Sequence, residues 1–173
     1  MTQGNLYFVG LMGAGKTTVG RQLAKRRGIP FVDLDHELEA RTGVRIPTIF
    51  EVEGEDGFRE REAKLLAEIA QMGDHVVATG GGIVLRADNR EVLRRTGTVI
   101  YLDAAPRTLF ERTRRDTNRP LLRVADPLEK LRELHAVRDP LYREVADIVV
   151  PSRGGGVGQL VQRIEEEIAR CAA

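Results

Sequence analysis

The segment Gly10-Leu11-Met12-Gly13-Ala14-Gly15-Lys16-Thr17 constrains this chain more than any other. It fits G-x-x-x-x-G-K-[ST] at every fixed position. Apolar Asn5–Val9 precedes it and reads as a strand; Lys16–Arg27 follows and reads as a helix. A glycine-rich turn in that position curls successive backbone N–H groups around an anion, and the helix N-terminus adds partial positive charge. Lys16 is then expected to reach the β- and γ-phosphates, and the Thr17 hydroxyl to take a Mg²⁺ coordination position. Gly13, Ala14, Gly15, Lys16, Thr17 and the adjoining Thr18 form the expected ATP-binding set. A glycine-rich turn with a chance Lys-Thr would not explain the strand and helix that flank it.

Short apolar runs alternate with longer amphipathic segments along the rest of the chain, the pattern of βαβ units around a parallel sheet. Further strands are predicted over residues 31–34, 75–79, 98–102 and 147–150. Helices are predicted over 35–42 (stopped by Gly43), 46–51, 55–71 (ended by Gly73), 88–95 (capped by Gly97), 106–114, 127–137 and 157–170. Pro140 is expected to break or restart the helix that begins at 127. Residues 114–125 show no period and read as a mobile loop, and 151–158 as a glycine-rich one.

At 173 residues the chain suits a single domain, 1–173. A net charge of +1 argues against a dedicated nucleic-acid or membrane-surface binder. The lone Cys171 permits no internal disulfide, and His36, His75 and His135 lack zinc-ligand spacing. Neither a membrane-spanning apolar run nor a secretion-signal pattern is present, so a cytoplasmic protein is expected.

P-loop proteins commonly hold the metal with a second carboxylate ending a neighbouring strand. The most apolar strand instead runs into Gly80-Gly81-Gly82. Asp33 and Asp35 close the second strand, and their two-residue spacing would put both on one strand face. One could hold metal-bound water while the other meets an acceptor hydroxyl. Alternatively, they are a strand-end Asp and a helix N-cap. No N-K-x-D or L-S-G-G-Q occurs, which excludes the common GTPases and ABC ATPases and leaves a small-molecule or nucleotide kinase.

Arg59 and Glu62 stand at i and i+3 in the long helix, so Glu62 could hold the Arg59 fork as a carboxylate receptor needs. A surface salt bridge is the plainer alternative, and Phe58 reads as core. The three glycines would let backbone approach a ligand. Arg138, near the expected end of its helix, is either a ligand contact or a cation favoured by the helix dipole. Arg112, Arg114, Arg115, Arg119 and Arg123 crowd one loop, which is a solvated basic loop or a lid. A lid arginine on the transferring phosphoryl is worth roughly 10³–10⁵ in rate in other systems.

Taken in order, these residues resemble the shikimate kinase family over nearly the whole chain. The resemblance rests on residues 10–17, Asp33/Asp35, I-x-x-I-F-x-x-x-G-E-x-x-F-R-x-x-E from Ile46 to Glu62, and Gly80–Gly82. Arg119-Pro120-Leu121-Leu122 and Arg138-x-Pro140-Leu141-Tyr142 complete it. It implies an α/β P-loop NTPase of the nucleoside-monophosphate-kinase-like fold, with a five-stranded parallel sheet in order 2-3-1-4-5. It implies γ-phosphoryl transfer from ATP to the 3-hydroxyl of shikimate, a monomer, Mg²⁺ as cofactor, and neither nucleic acid nor membrane as partner. It further implies that Thr17 ligates Mg²⁺ and that Asp33 holds it through water. Asp35 would bond the shikimate hydroxyls and act as base or orienting group. Arg59 and Arg138 would clamp the carboxylate with backbone from Gly80, Gly81 and Gly82. Lys16 and Arg119 would contact the phosphates, and Arg112 would lie by the adenine. The substrate region would span about 33–62 and the lid about 112–125. One departure is the glycine-rich stretch 151–156, which leaves its adenine contacts, Arg153 included, open.

Overall fold

A computed structural model describes residues 4–173. Strand β1 (Asn5–Val9) is buried at all its positions, as a strand covered by helices on both faces must be. After it come α1 (Lys16–Arg27), β2 (Phe31–Asp33), α2 (Leu34–Thr42), α3 (Ile46–Ala70) and β3 (Val76–Ala78). The chain continues through α4 (Ala87–Thr96), β4 (Gly97–Asp103), α5 (Pro106–Thr113), α6 (Pro127–Val145), β5 (Ile148–Pro151) and α7 (Val157–Ala172). The strands pair in parallel in the order β2-β3-β1-β4-β5, the order expected. All strand ends that carry chemistry therefore emerge along one edge, and β3 enters between β2 and β1 to open a crevice there.

Asn5 anchors the buried start of β1. Its Nδ2 donates to the Ile69 carbonyl at 3.3 Å and to the Tyr7 hydroxyl at 3.1 Å, while Oδ1 accepts from the His75 N–H at 3.0 Å. One polar side chain thus ties β1 to the end of α3 and the entry to β3.

Two local expectations need correction. Asp33 and Asp35 do not alternate on a strand. Asp33 caps α2, accepting from the His36 N–H at 3.1 Å, and that bond draws the chain into helix at Leu34. The two helices expected over 46–51 and 55–71 are both present within α3, meeting at a kink at Gly54, whose non-helical φ of 73° only glycine adopts cheaply. Gly97 caps α4 as expected, in extended backbone that makes it the first residue of β4. Helix α6 runs unbroken through Pro140 to Val145. An interior proline costs about 3 kcal/mol. Bonds on either side of it offset that cost: the Tyr101 hydroxyl donates to Asp139 at 2.7 Å, and Arg143 donates to Asp139 at 3.0 Å and Asp103 at 2.8 Å. Arg138 consequently sits mid-helix, which removes the helix-dipole explanation for it.

Asn5→Ala would strand the His75 N–H, while the Ile69 carbonyl would keep the Met72 N–H at 3.0 Å. A loss of about 2 kcal/mol in urea denaturation is expected, since a buried unsatisfied group costs about 1–3 kcal/mol. A loss below about 1 kcal/mol would show that Asn5 is not the anchor described.

Candidate active site

The turn after β1 and the start of α1 place Lys16 over its own loop. Its Nζ donates to the carbonyl of Leu11 at 3.1 Å and also to that of Gly10. Burial, and then Arg119, lower its pKa to about 7, against the opposing pull of Asp35 and Asp33. The Thr17 hydroxyl donates to Asp33 Oδ2 at 2.5 Å, while the other oxygen of Asp33 caps α2. Two hard oxygen donors, one from the first turn of α1 and one from the end of β2, therefore stand together beside the loop.

Asp35, in the first turn of α2, has its carboxyl pushed above the ordinary range by burial and by Asp33. Lys16, Arg119 and Arg59 act against that rise. Arg119 approaches it from the α5–α6 connection, Nη1 lying 4.0 Å from Asp35 Oδ2, while its Nε donates to Asp116 at 3.1 Å. Pro120–Leu122 beside it form a short 3₁₀ turn that the sequence pattern does not predict.

The other half of the cleft is a receptor with three arms. From α3, Arg59 Nη1 donates to Glu62 Oε1 at 3.1 Å. Glu62 is only 2 % exposed, so this is no surface salt bridge. Burial pushes the Glu62 carboxyl up to about 7 despite the Arg59 guanidinium, with Asp35 adding to the rise. The Arg59 guanidinium also lies 5.1 Å over the Phe58 ring, which is core, as expected, and at the same time lines the cleft.

The second arm is the turn Gly80–Gly82. A Cβ on Gly82 would lie 2.4 Å from the Arg59 guanidinium carbon, and one on Gly80 would lie 2.6 Å from Glu62 Oε2. The charged pair closes onto bare backbone, so a side chain at either position would have to displace it. Among the described residues, the N–H groups of Gly80, Gly81 and Gly82 donate to no protein acceptor.

The third arm is α6. Arg138, 3 % exposed, brings Nη1 within 3.3 Å of the position a Gly81 Cβ would take. One turn on, the Tyr142 hydroxyl donates to the Gly81 carbonyl and joins the second and third arms.

At the far end, Arg112 Nη1 donates to the Gly13 carbonyl at 3.0 Å and to the Ser152 hydroxyl at 3.1 Å. Arg153, Gly155 and Gly156 line the same end. Every site residue singled out from the sequence, from Gly13 through Thr18 to Arg138, lines this one cleft. Its volume, about 610 Å³, is ordinary for a ligand site. Sequence reasoning missed two polar groups. Tyr142 was visible only as part of a motif, and Ser152 carried no signal inside a glycine-rich loop.

The fold and the cleft define a P-loop kinase acting on a small molecule. The sequence profile of shikimate kinase matches residues 12–169. A shikimate kinase of Dechloromonas aromatica is 58 % identical over 166 residues, 96 % of this chain and 91 % of the relative. One of Thiobacillus denitrificans is 63 % identical over 146 residues, 84 % of this chain and 80 % of the relative. Among solved structures, shikimate kinase from Acinetobacter baumannii in complex with shikimate superposes with a TM-score of 0.96 at 50 % identity, covering 98 % of this chain and 94 % of that one. The chain belongs to the shikimate kinase family. A gluconokinase from Sinorhizobium meliloti shares the fold alone, with a TM-score of 0.61 at 18 % identity, covering 99 % of this chain and 94 % of that one.

Because the Glu62 carboxyl titrates higher in the fold than in an unfolded chain, the folded state binds its proton more tightly. The wild-type fold therefore loses stability as pH rises from about 4.5 through about 7. Glu62→Gln removes that loss. Its thermal stability relative to wild type is expected to improve between pH 5 and pH 8, and a pH-independent difference would contradict a raised Glu62.

Proposed function

We propose that this chain transfers the γ-phosphoryl of ATP to the 3-hydroxyl of shikimate, giving shikimate 3-phosphate and ADP for aromatic amino-acid synthesis. The observation that carries the reading is the convergence of Arg59 and Arg138 on the Gly80–Gly82 turn. Shikimate offers one carboxylate and three hydroxyls. Two guanidinium groups suit the first, and a carboxylate with unpaired backbone N–H groups suits the others. Each charge-assisted hydrogen bond contributes about 1.5–3 kcal/mol.

In this reading Arg59, held by Glu62, and Arg138 fix the acceptor by its acid group. Asp35 accepts a hydrogen bond from the attacking hydroxyl and orients it, and its raised pKa suits it to take the proton. Lys16 leaves the Gly10 and Leu11 carbonyls for the phosphates, whose negative charge favours its protonated form. Arg119 swings its free fork from Asp35 toward the transferring group, the rest of 112–125 serving as lid. The adjacent oxygens of Thr17 and Asp33 fit a hard divalent cation, Thr17 directly and Asp33 through water. Mg²⁺ bound there would neutralise charge on the phosphates. Arg112 reaches the cleft where the base would lie. The same reading takes residues 1–173 as one cytoplasmic, monomeric domain. Among the described residues no helix is long and apolar enough to cross a membrane.

Coupled ADP release tests the proposal with shikimate, quinate and gluconate as acceptors. Shikimate alone should give full turnover; turnover with gluconate and none with shikimate would overturn it. Arg59→Ala should raise KM for shikimate at least tenfold with KM for ATP within about twofold, because one of two charge-assisted contacts is lost. An unchanged shikimate KM removes Arg59 from the site. Asp35→Asn should lower kcat at least a hundredfold with the thermal transition intact, the usual scale for losing a positioned base. Near-normal turnover would refute its role.

A further inference from the structure

Ser152 follows directly on β5 and is 4 % exposed. Its N–H donates to the Asp103 carbonyl at 2.6 Å, which carries the β4–β5 pairing one residue beyond the strand. Its hydroxyl lies 2.7 Å from the Ala14 carbonyl oxygen and 3.1 Å from Arg112 Nη1. Chemistry fixes the direction of both bonds. A guanidinium only donates, so the hydroxyl accepts from Arg112 and its single proton goes to Ala14.

The Ala14 oxygen and the Gly15 N–H belong to one planar trans peptide and point in opposite directions. Pulling the oxygen toward Ser152 aims the Gly15 N–H the other way. Among the described residues that N–H donates to no protein acceptor, whereas the Ala14 N–H is already committed to the Leu11 carbonyl at 3.1 Å. Without the serine hydroxyl, Ala14 would retain only a long 3.5 Å contact to Arg112. Arg112, bonded also to Gly13 at 3.0 Å, would lose its anchor on the β5 side.

We propose that Ser152 is a positioning residue for the nucleotide. It sets the Ala14–Gly15 peptide of the phosphate cradle and holds Arg112 at the mouth of the cleft, so the loop after β5 and the turn after β1 bind ATP as one piece. The proposal rests on the reading of this cleft as the ATP site.

The test uses the full-length enzyme with Ser152→Ala and Ser152→Thr. ADP binding is measured by calorimetry, the two KM values by coupled ADP release, and folding by thermal denaturation. Ser152→Ala should weaken ADP binding and raise KM for ATP about tenfold, the scale of one hydrogen bond, with KM for shikimate within about twofold. Ser152→Thr, which keeps the hydroxyl, should restore most of the ATP affinity. Unchanged ADP affinity in Ser152→Ala overturns the proposal. So does an equal rise in both KM values with a lowered melting temperature, which is what a purely structural serine would give. Should the alanine variant not fold, Ser152→Cys supplies a group of similar size with a weaker donor. It must show the same ATP-specific loss, and its absence counts against Ser152. If wild type itself binds no ADP, the nucleotide reading fails instead, so the two failures are distinguishable.

Discussion

In the middle of the cleft Lys16, Arg59, Arg119 and Arg138 face Asp33, Asp35 and Glu62. A charge buried without a partner costs several kcal/mol, so each must be held against another group. Glu62 takes Arg59, Asp33 takes the Thr17 hydroxyl, and Arg119 leans toward Asp35. The matching is incomplete. Lys16 is pulled down to about 7 while Glu62 is pushed up to about 7, so both drift toward their neutral forms. On the proposed reading, an acid group between two guanidiniums and a polyphosphate over Lys16 would bring negative charge to the cations of the cleft.

The arrangement needs backbone where side chains would normally stand. Arg59 and Glu62 close on Gly80 and Gly82 at distances that no Cβ tolerates. The same closeness leaves three N–H groups open to a ligand. Parallel strands make this geometry available: their carboxyl ends line one edge, so a turn after β3 faces a turn after β1 without any long loop. Helix α6 then secures the turn from behind through Tyr142, while Arg138 on the next turn of the same helix faces it. Helical spacing of four residues lets one segment do both.

Much of this was readable in the chain, because the features concerned are local. The residue 10–17 turn, the apolar β1 and the i,i+3 pair Arg59/Glu62 each declare themselves within a few positions. Placement of the chemistry along one edge followed from parallel topology. What escaped depended on distant partners. Pro140 reads as a helix breaker unless Tyr101 and Asp103, on a strand some forty residues earlier, are known to brace α6. Asp33 and Asp35 read as alternating strand residues because capping by Asp33 competes with strand pairing, and only the fold decides between them. The roles of Ser152 and Tyr142 escape for the same reason: a hydroxyl matters by the carbonyl it meets, and Ala14 and Gly81 lie 138 and 61 residues away.

On the proposed reading the labour divides along the cleft. Phosphate recognition falls to β1, its turn and the start of α1, which contribute backbone N–H groups and Lys16. Acceptor recognition falls to α2, α3, the Gly80–Gly82 turn and α6, which contribute Asp35, Arg59 and Arg138. The two halves meet at the end of β4. The Asp103 carbonyl holds the Ser152 N–H on the nucleotide side, and its carboxylate holds Arg143 of α6 on the acceptor side. A strand end bonded to both halves ties them together and so bears, on the proposed reading, on the distance between terminal phosphate and acceptor hydroxyl. In phosphoryl transfer that distance matters more than any single contact, because catalysis there is mostly positioning and electrostatics.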